Sequence, residues 1–441
     1  MTGNRPSAAI LGAHLNPKRA MSTYARSISS PATASATRTL TAAPRRWQRP
    51  APNAALMWLL GIVNRWLLVR GYLRIRRIEL PAGDRERLQH AVNRGTAAFM
   101  GPNHPEFGAD WLIDKELSTI VAPQMASWAD RGIVTAAPRF WGANNLVAND
   151  GGDAAKHYSI ECAVAGNGVL LHPEGSVRWT NDYVHPLFPG IAQMAMRAVH
   201  ETDKPVYIVP LVWKYCFTAD VSARLHREMR IIERALELPA TETSDVAQRF
   251  AALHENILAS RMTRFGYADE QPSAGFFERQ RAFQAHLVRD LSARYATEPA
   301  ATMDRTIARL KCAAVNHRDD AARAEEAKRL GEMSEEVYGA PTLTQEQMSE
   351  CLKRTRDRLM RSGWRNVLAN TLPCPLGARV VHVGVPQPIR VVAVKRHEQA
   401  EYEVALLELT RASMQAALDD INCRIASAVR AFAVRNLLAS E

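Results

Sequence analysis

Between residues 73 and 215, short apolar runs of β character alternate with stretches whose apolar positions recur at helical spacing. Leu73–Leu80 has β character, and Pro81-Ala82-Gly83-Asp84 turns the chain into a helix carrying Leu88 and Val92. Thr96–Met100 predicts a buried strand ended by Gly101-Pro102. Phe107–Leu117 turns helical, while Thr119–Pro123 and Phe140–Val147 read as further strands. Asp153–Val164 predicts a helix closed by Gly166-Asn167-Gly168, followed by a strand at Val169–His172. Ile191–His200 then reads as a helix and Val206–Val212 as a strand. Such alternation predicts an α/β fold with a largely parallel sheet.

After Tyr215 the pattern changes. Helical spacing covers about 220–238, 243–265, 275–294, 302–337 and 344–362, and Thr344 with Gln347 predicts a capping box. Strand character returns at Ala378–Val385 and Ile389–Val394 around Pro386-Gln387-Pro388, and a long helix over about 402–437 ends the chain. The late strands have no sheet of their own. The simplest layout has residues 371–441 complete a domain begun at 79–219, so that 220–370 is an all-helical insertion. A separate C-terminal α+β domain is the competing layout.

Charge changes the picture at the N-terminus. The chain carries +11, yet residues 1–78 hold thirteen Arg or Lys and no Asp or Glu, and the remainder nearly cancels. Residues 1–50, rich in Ala, Ser, Thr, Pro and Arg, cannot bury a core and are expected to be disordered; they also resemble an organelle transit peptide. A start codon placed too early, with Met21 as the real start, is the alternative.

Residues 51–78 follow as an amphipathic, membrane-associating segment. Leu56, Leu59, Leu60, Val63 and Leu67 form one helical stripe, with Trp58, Trp66 and Tyr72 suited to a headgroup layer and Arg65, Arg70, Arg74, Arg76 and Arg77 able to meet phosphates. The uninterrupted apolar run, Ala54–Val63, is about half the twenty or so residues a spanning helix needs, so an interfacial anchor is expected. A buried core helix is the alternative. Six scattered cysteines with no C-x-x-C pair fit a reducing compartment and neither a disulfide framework nor a zinc cluster.

Two runs carry candidate chemistry: Asn103-His104-Pro105-Glu106-Phe107-Gly108-Ala109-Asp110 and His172-Pro173-Glu174-Gly175-Ser176-Val177-Arg178. His104 leaves a buried strand through a Gly-Pro-Asn turn, where α/β folds place ligands. An imidazole there can accept a hydroxyl proton near neutrality, and a carboxylate on its other nitrogen would hold the tautomer. Asp110 can reach it only if Pro105–Gly108 is a loop and the helix starts after Gly108, because six residues of helix would turn it away. Glu106 and Asp114 read as surface carboxylates, and His157, His185 and His200 as structural. Glu174 is assigned to positioning substrate, and the N–H groups of its turn to an oxyanion. Arg178 suits an acidic headgroup or phosphate, or is simply a solvated arginine. No metal is implied, since His104 and Asp110 are too few ligands and His172 has no partner at metal spacing.

The order Asn-His…Asp, Pro-Glu-Gly-Ser, Phe188-Pro189-Gly190 and Ile208–Leu211 resembles the glycerolipid acyltransferase family, which includes the lysophosphatidic acid acyltransferases. The similarity covers about residues 95–215, with Val380–Ile389 similar to a later strand segment. It implies a mixed sheet flanked by helices and an N-terminal element dipping into the membrane. By that resemblance His104 is the general base, Asp110 its partner, and Glu174 and Gly175 line the acceptor site, with Asn103, Ser176 and Arg178 as further binding candidates. The chain departs from the pattern in three places. Five residues rather than four separate His104 from Asp110. Val177 stands where the family has arginine, with Arg178 one later. Leu146–Gly152 lacks an arginine for the acceptor phosphate, and Lys156 is the next cation.

The expectation is therefore a cytoplasmic, peripheral or monotopic membrane O-acyltransferase. It would move an acyl group from acyl-CoA or acyl-carrier protein to a lysophospholipid-type hydroxyl on an anionic membrane surface, with no cofactor. A non-catalytic lipid- or partner-binding protein with the same fold is the alternative. A nucleic-acid partner is not expected, because the excess charge lies in one arm and no base-reading motif is present.

Overall fold

An eight-stranded sheet organises the protein, a computed structural model of which describes residues 47–106, 109–175, 177, 179–269, 272–300, 302–360, 375–430 and 432–439. The strands are β1 (Ile75–Glu79), β2 (Ala97–Pro102), β3 (Ala126–Ala129), β4 (Leu146–Ala148), β5 (Val169–Leu170), β6 (Val206–Phe217), β8 (Arg379–Gly384) and β9 (Ile389–Val391). Their order is β1-β8-β6-β2-β5-β3-β4, with β9 beside the first half of β6. All pairs are parallel except β6 with β8 and with β9. The fold is α/β, a mostly parallel mixed sheet flanked by helices.

Parallel strands are covered on both faces and so read as unbroken apolar runs. β2 is buried at every residue and β6 at ten of twelve. One face packs Leu88, Leu112, Ile113 and Leu117 from α2 (Ala82–Ala91) and α3 (Ala109–Val121) against Met100, Val209 and Trp213. The other packs Ile160 of α6 (Gly152–Val164) and Met194 of α7 (Gly190–Ala198) against Phe99 and Ile208. β8 and β9 fill the edge of β6 opposite β2, so the late strands join the first sheet.

Between β6 and β8 lie α8 (Ser222–Ala235), α9 (Val246–Arg264), α10 (Phe276–Tyr295), α11 (Met303–Ala313), α12 (Arg318–Gly331), α13 (Glu335–Tyr338) and α14 (Gln345–Leu359), packed around Phe250, Phe283, Leu287 and Met348. The Thr344–Gln347 capping box opens α14. This region is not wholly helical. β7 (Thr342–Leu343) pairs antiparallel with β10 (Val434–Arg435), because the last helix, α15 (Gln399–Arg430), stops short of 437 and the tail turns back. Residues 361–374, within which the expected insertion ends, lie outside the described residues.

Two expected strands differ. Thr119–Pro123 instead continues α3 to Val121; the Ser118 and Thr119 hydroxyls bond back to the Lys115 and Glu116 carbonyls, so helix costs those side chains no partner. Phe140–Val147 is strand only at its end, where Leu146 and Val147 begin β4; its first half is α5 (Pro138–Ala143), started by proline at its first position, where the missing N–H is no loss. α4 (Arg131–Ala136) precedes it.

The N-terminal helix α1 (Ala54–Val63) is capped by Asn53, whose side chain accepts from the Leu56 N–H at 3.0 Å, and continues as π-helix over Asn64–Tyr72. Together they are long and apolar enough, by length and composition, to cross a membrane. The expected stripe is split: Leu59 and Leu67 are exposed, whereas Leu56, Leu60 and Val63 are half-buried. Met57, Gly61, Asn64 and Val69 face inward, and the Asn64 amide donates to the Leu112 carbonyl and to Glu116. Leu59, Leu67, Trp58, Ile62 and Trp66 face out, with Trp58 and Leu67 about two-thirds exposed. Residues 1–46, including the expected disordered segment to its last four residues, lie outside the described residues.

Candidate active site

β2 and β5 are adjacent and parallel, with Met100 opposite Leu170, so the loops that follow them emerge side by side. His104 leaves β2 and His172 leaves β5. α3 begins at Ala109, immediately after the Pro105–Gly108 segment, and this puts Asp110 in its first turn, facing back. Phe107 and Gly108 themselves lie outside the described residues.

His104 Nδ1 lies 2.8 Å from Asp110 Oδ2. Asp110 is fully buried and accepts three further hydrogen bonds: from the Glu106 N–H (2.8 Å), Trp213 Nε1–H (3.0 Å) and the Tyr215 hydroxyl (2.7 Å). Burial, and then the charge of Asp110, push the Tyr215 phenol well above its ordinary range, so it remains a donor. The Glu106 N–H, the Trp213 indole and the Tyr215 hydroxyl all donate to Asp110, which is an acceptor on every side. The proton on the shared edge therefore sits on His104 Nδ1, and Nε2 carries the lone pair. Trp213 and Tyr215 alternate along β6 and so face the same side. Neither was singled out from the sequence, although their spacing of two was the available signal.

A second pair lies underneath. The His104 and His172 rings stack with centroids 3.9 Å apart and planes 14° from parallel. His172 Nδ1 is 2.9 Å from the Asn103 carbonyl, which can only accept, so this nitrogen donates. His172 Nε2 is 3.2 Å from Asp114 Oδ2. Burial opposes charge on His172, but Asp114 outweighs it and the histidine is raised to about 9. Burial pushes the Asp114 carboxyl up, with His172 pulling it part of the way back, and its Oδ1 has no hydrogen-bond partner. The pair thus holds one shared proton and no net charge. Both nitrogens of His172 are engaged, so it is not a base.

Asp114 and Glu106 are not surface carboxylates: both are buried. The reason is that each has a cationic partner. Asp114 meets His172, and Glu106 meets Arg379 of β8 and Lys353 of α14. Arg379 lies over the Tyr215 ring at 4.6 Å, and its Nε and a terminal nitrogen have no hydrogen-bond partner. Burial lowers it from the usual guanidinium range.

The remaining expected site residues serve mainly to hold this arrangement. The Asn103 side chain is buried and clamps β6, donating to the Trp213 carbonyl at 3.1 Å and accepting from its N–H at 2.9 Å. Glu174 is buried too, and its Oε1 accepts the His104 backbone N–H at 3.0 Å. Gly175 sits at φ +71°, and a Cβ there would come within 2.6 Å of the Phe188 ring. Its N–H donates to the His172 carbonyl at 3.0 Å, so that donor of the turn is not aimed at an oxyanion. Ser176 and Arg178 lie outside the described residues. Among the described residues no group of three or more His, Cys, Asp or Glu side chains could hold a metal ion.

Comparison of the chain with protein-family models gives no match, and comparison with curated proteins gives none either. The functional reading rests on this geometry and on the motif order.

Proposed function

We propose that the protein is a membrane-surface O-acyltransferase that carries an acyl group from a thioester, acyl-CoA or acyl-carrier protein, to the hydroxyl of a lysophospholipid-type acceptor. The observation that carries this reading is the His104–Asp110 pair: an imidazole at the end of a central strand, held by a buried carboxylate with four donors. His104 Nε2 takes the acceptor proton as the hydroxyl oxygen attacks the thioester carbonyl. Collapse of the tetrahedral intermediate breaks the C–S bond, and the imidazolium returns its proton to the leaving thiolate. The products are an ester and a free thiol, with no covalent enzyme intermediate. Ordered motifs similar to those of the glycerolipid acyltransferases support the reaction class. The exposed apolar face of the N-terminal helix supports action at a lipid surface.

The test is transfer of labelled acyl-CoA to a panel of lysolipids in vesicles. His104→Gln should lower turnover by about two to four orders of magnitude, the range of general-base catalysis, with an unchanged melting curve. Turnover retained in that variant refutes the assignment. Acylation of no lysolipid by the wild-type chain, together with tight lipid binding, would instead favour a non-catalytic lipid-binding protein.

A further inference from the structure

Where the N-terminal helix ends, the chain forms a cavity of about 480 Å³. Arg70, Arg74 and Arg76 reach it from the helix end and β1, and Arg224 from α8. Asp220 is the single carboxylate in its wall. It is turned to other work: Gln345, Ser222 and the Ser222 N–H donate to it and hold its carboxyl below the usual range. The neighbouring Arg65 and Arg77 are paired, with Glu116 and Glu79. Among the described residues Arg70, Arg74 and Arg76 have no carboxylate partner. Arg70 stacks on the exposed Trp66 ring at 4.3 Å, and Arg224 donates to the Leu376 carbonyl.

Four guanidiniums around one hollow repel each other unless an anion lies between them. The backbone points the same way. Arg74 holds φ +53°, a left-handed conformation that favours Gly or Asn, while its carbonyl accepts the Arg379 N–H at 3.0 Å. The sequence places a guanidinium where glycine would be the less strained residue. The cavity is linked to the outward apolar face through Arg70, which lines it and stacks on the exposed Trp66. Arginine forks match phosphate oxygens in pairs.

We propose that this cavity, whose lining includes neither His104 nor Asp110, is a binding site for the phosphate of an anionic glycerophospholipid, which fixes the depth and orientation of the protein on the bilayer. This rests on the membrane-surface part of the function proposed above and not on acyl transfer.

The test is flotation of the full chain with vesicles of phosphatidylcholine alone and of phosphatidylcholine with phosphatidic acid. The variant pair is Arg74→Gly with Arg224→Gln. Glycine suits the left-handed position, so the fold should survive with an unchanged or higher melting temperature. Arg305→Gln with Arg309→Gln, exposed on α11, changes the charge equally elsewhere. Each arginine at an anionic surface is worth about fivefold, so the site variant should lose about 20-fold of the preference for phosphatidic acid vesicles, and the control less than about twofold. Both should keep the same binding to neutral vesicles. Equal losses in the two variants would overturn the proposal, as would a wild-type chain indifferent to phosphatidic acid. Release of the wild-type chain by millimolar CoA, dependent on Arg74 and Arg224, would overturn it in favour of a soluble phosphate ligand. Should that site variant fail to fold, Arg70→Gln with Arg76→Gln must show the same selective loss. The readout is binding, so loss of acyl transfer and loss of headgroup recognition are separable.

Discussion

Asp110→Asn isolates the tautomer of His104. In the native site both carboxylate oxygens accept: Oδ1 from Trp213 and Tyr215, Oδ2 from the Glu106 N–H and His104 Nδ1–H. An asparagine can keep its oxygen toward Trp213 and Tyr215. Its NH2 then faces a backbone N–H and the imidazole. The Glu106 N–H loses its acceptor at a buried position, which costs about 1–3 kcal/mol. The amide satisfies His104 only if Nδ1 accepts, so the proton moves to Nε2 and the base loses its lone pair. In a serine protease the equivalent change lowers kcat by about 10⁴ through the same tautomer switch, equivalent to about 5.5 kcal/mol. We expect a loss of about 10³–10⁴ in kcat with labelled acyl-CoA and vesicle-borne lysolipid, and a smaller change in KM. Heteronuclear NMR of the imidazole nitrogens should report Nε2–H in the variant and Nδ1–H in the native protein. An Asp110→Asn enzyme with more than a tenth of wild-type kcat, or an unchanged tautomer, would refute the reasoning.

The His172–Asp114 pair predicts a pH dependence of stability. His172 is raised from its ordinary 6.5 to about 9, so its contribution is complete below about pH 6.5 and is lost as pH climbs to about 9. The shift corresponds to about 3 kcal/mol, read from urea unfolding across that window; replacing both residues together (His172→Phe with Asp114→Asn) should flatten the slope. Gly175→Ala should cost about 1–2 kcal/mol, from its φ of +71° and the Phe188 ring, and should lower turnover through the Glu174 contact to His104; adding Phe188→Ala should recover only the clash component. Leu59→Glu with Leu67→Glu, at exposed positions, should abolish vesicle binding while leaving the melting temperature within about 2 °C; unchanged binding would remove the apolar face from the membrane account.

What could be read from the sequence was local, and what escaped it was paired across the sheet. Asp110 is six residues from His104, and a loop broken by proline and glycine is enough to bring them together. The strands also announced themselves, since β2 and β6 are buried on both sides and need continuous apolar residues. Asp114 was misjudged because its partner depends on β5 lying beside β2, a fact of register that no spacing reveals. Lys353 and Arg379 are 247 and 273 residues from Glu106, so their ion pairs exist only once α14 and β8 are placed. The N-terminal stripe was recognised, but which of its faces turns outward is decided by Asn64 gripping α3. The false strand at Thr119–Pro123 shows the opposite limit: β-branched Thr119, Ile120 and Val121 favour strands weakly, and packing of α3 outweighs that preference.

The two histidine–aspartate pairs have a common geometric origin. Residues four apart on a helix stand about 5–6 Å from each other. Neighbouring strands lie about 4.7–4.9 Å apart. α3 crossing the ends of β2 and β5 therefore presents Asp110 to one strand's histidine and Asp114 to the other's, and the rings are brought into a stack. Chemistry then separates them. Asp110 accepts from four donors, His104 Nδ1–H among them, and Nε2 is the nitrogen to which the proposed function gives the role of base. Asp114 has one histidine and an oxygen without a partner, and the Asn103 carbonyl claims the remaining nitrogen of His172. That ring is locked in place, carrying a shared proton but unable to pass it on. Its service to the site is steric and electrostatic: it fixes the plane of His104 from below, and the Asn103 that anchors it also anchors β6, which supplies Trp213 and Tyr215. One asparagine thus ties the locked ring to two of the donors that surround Asp110.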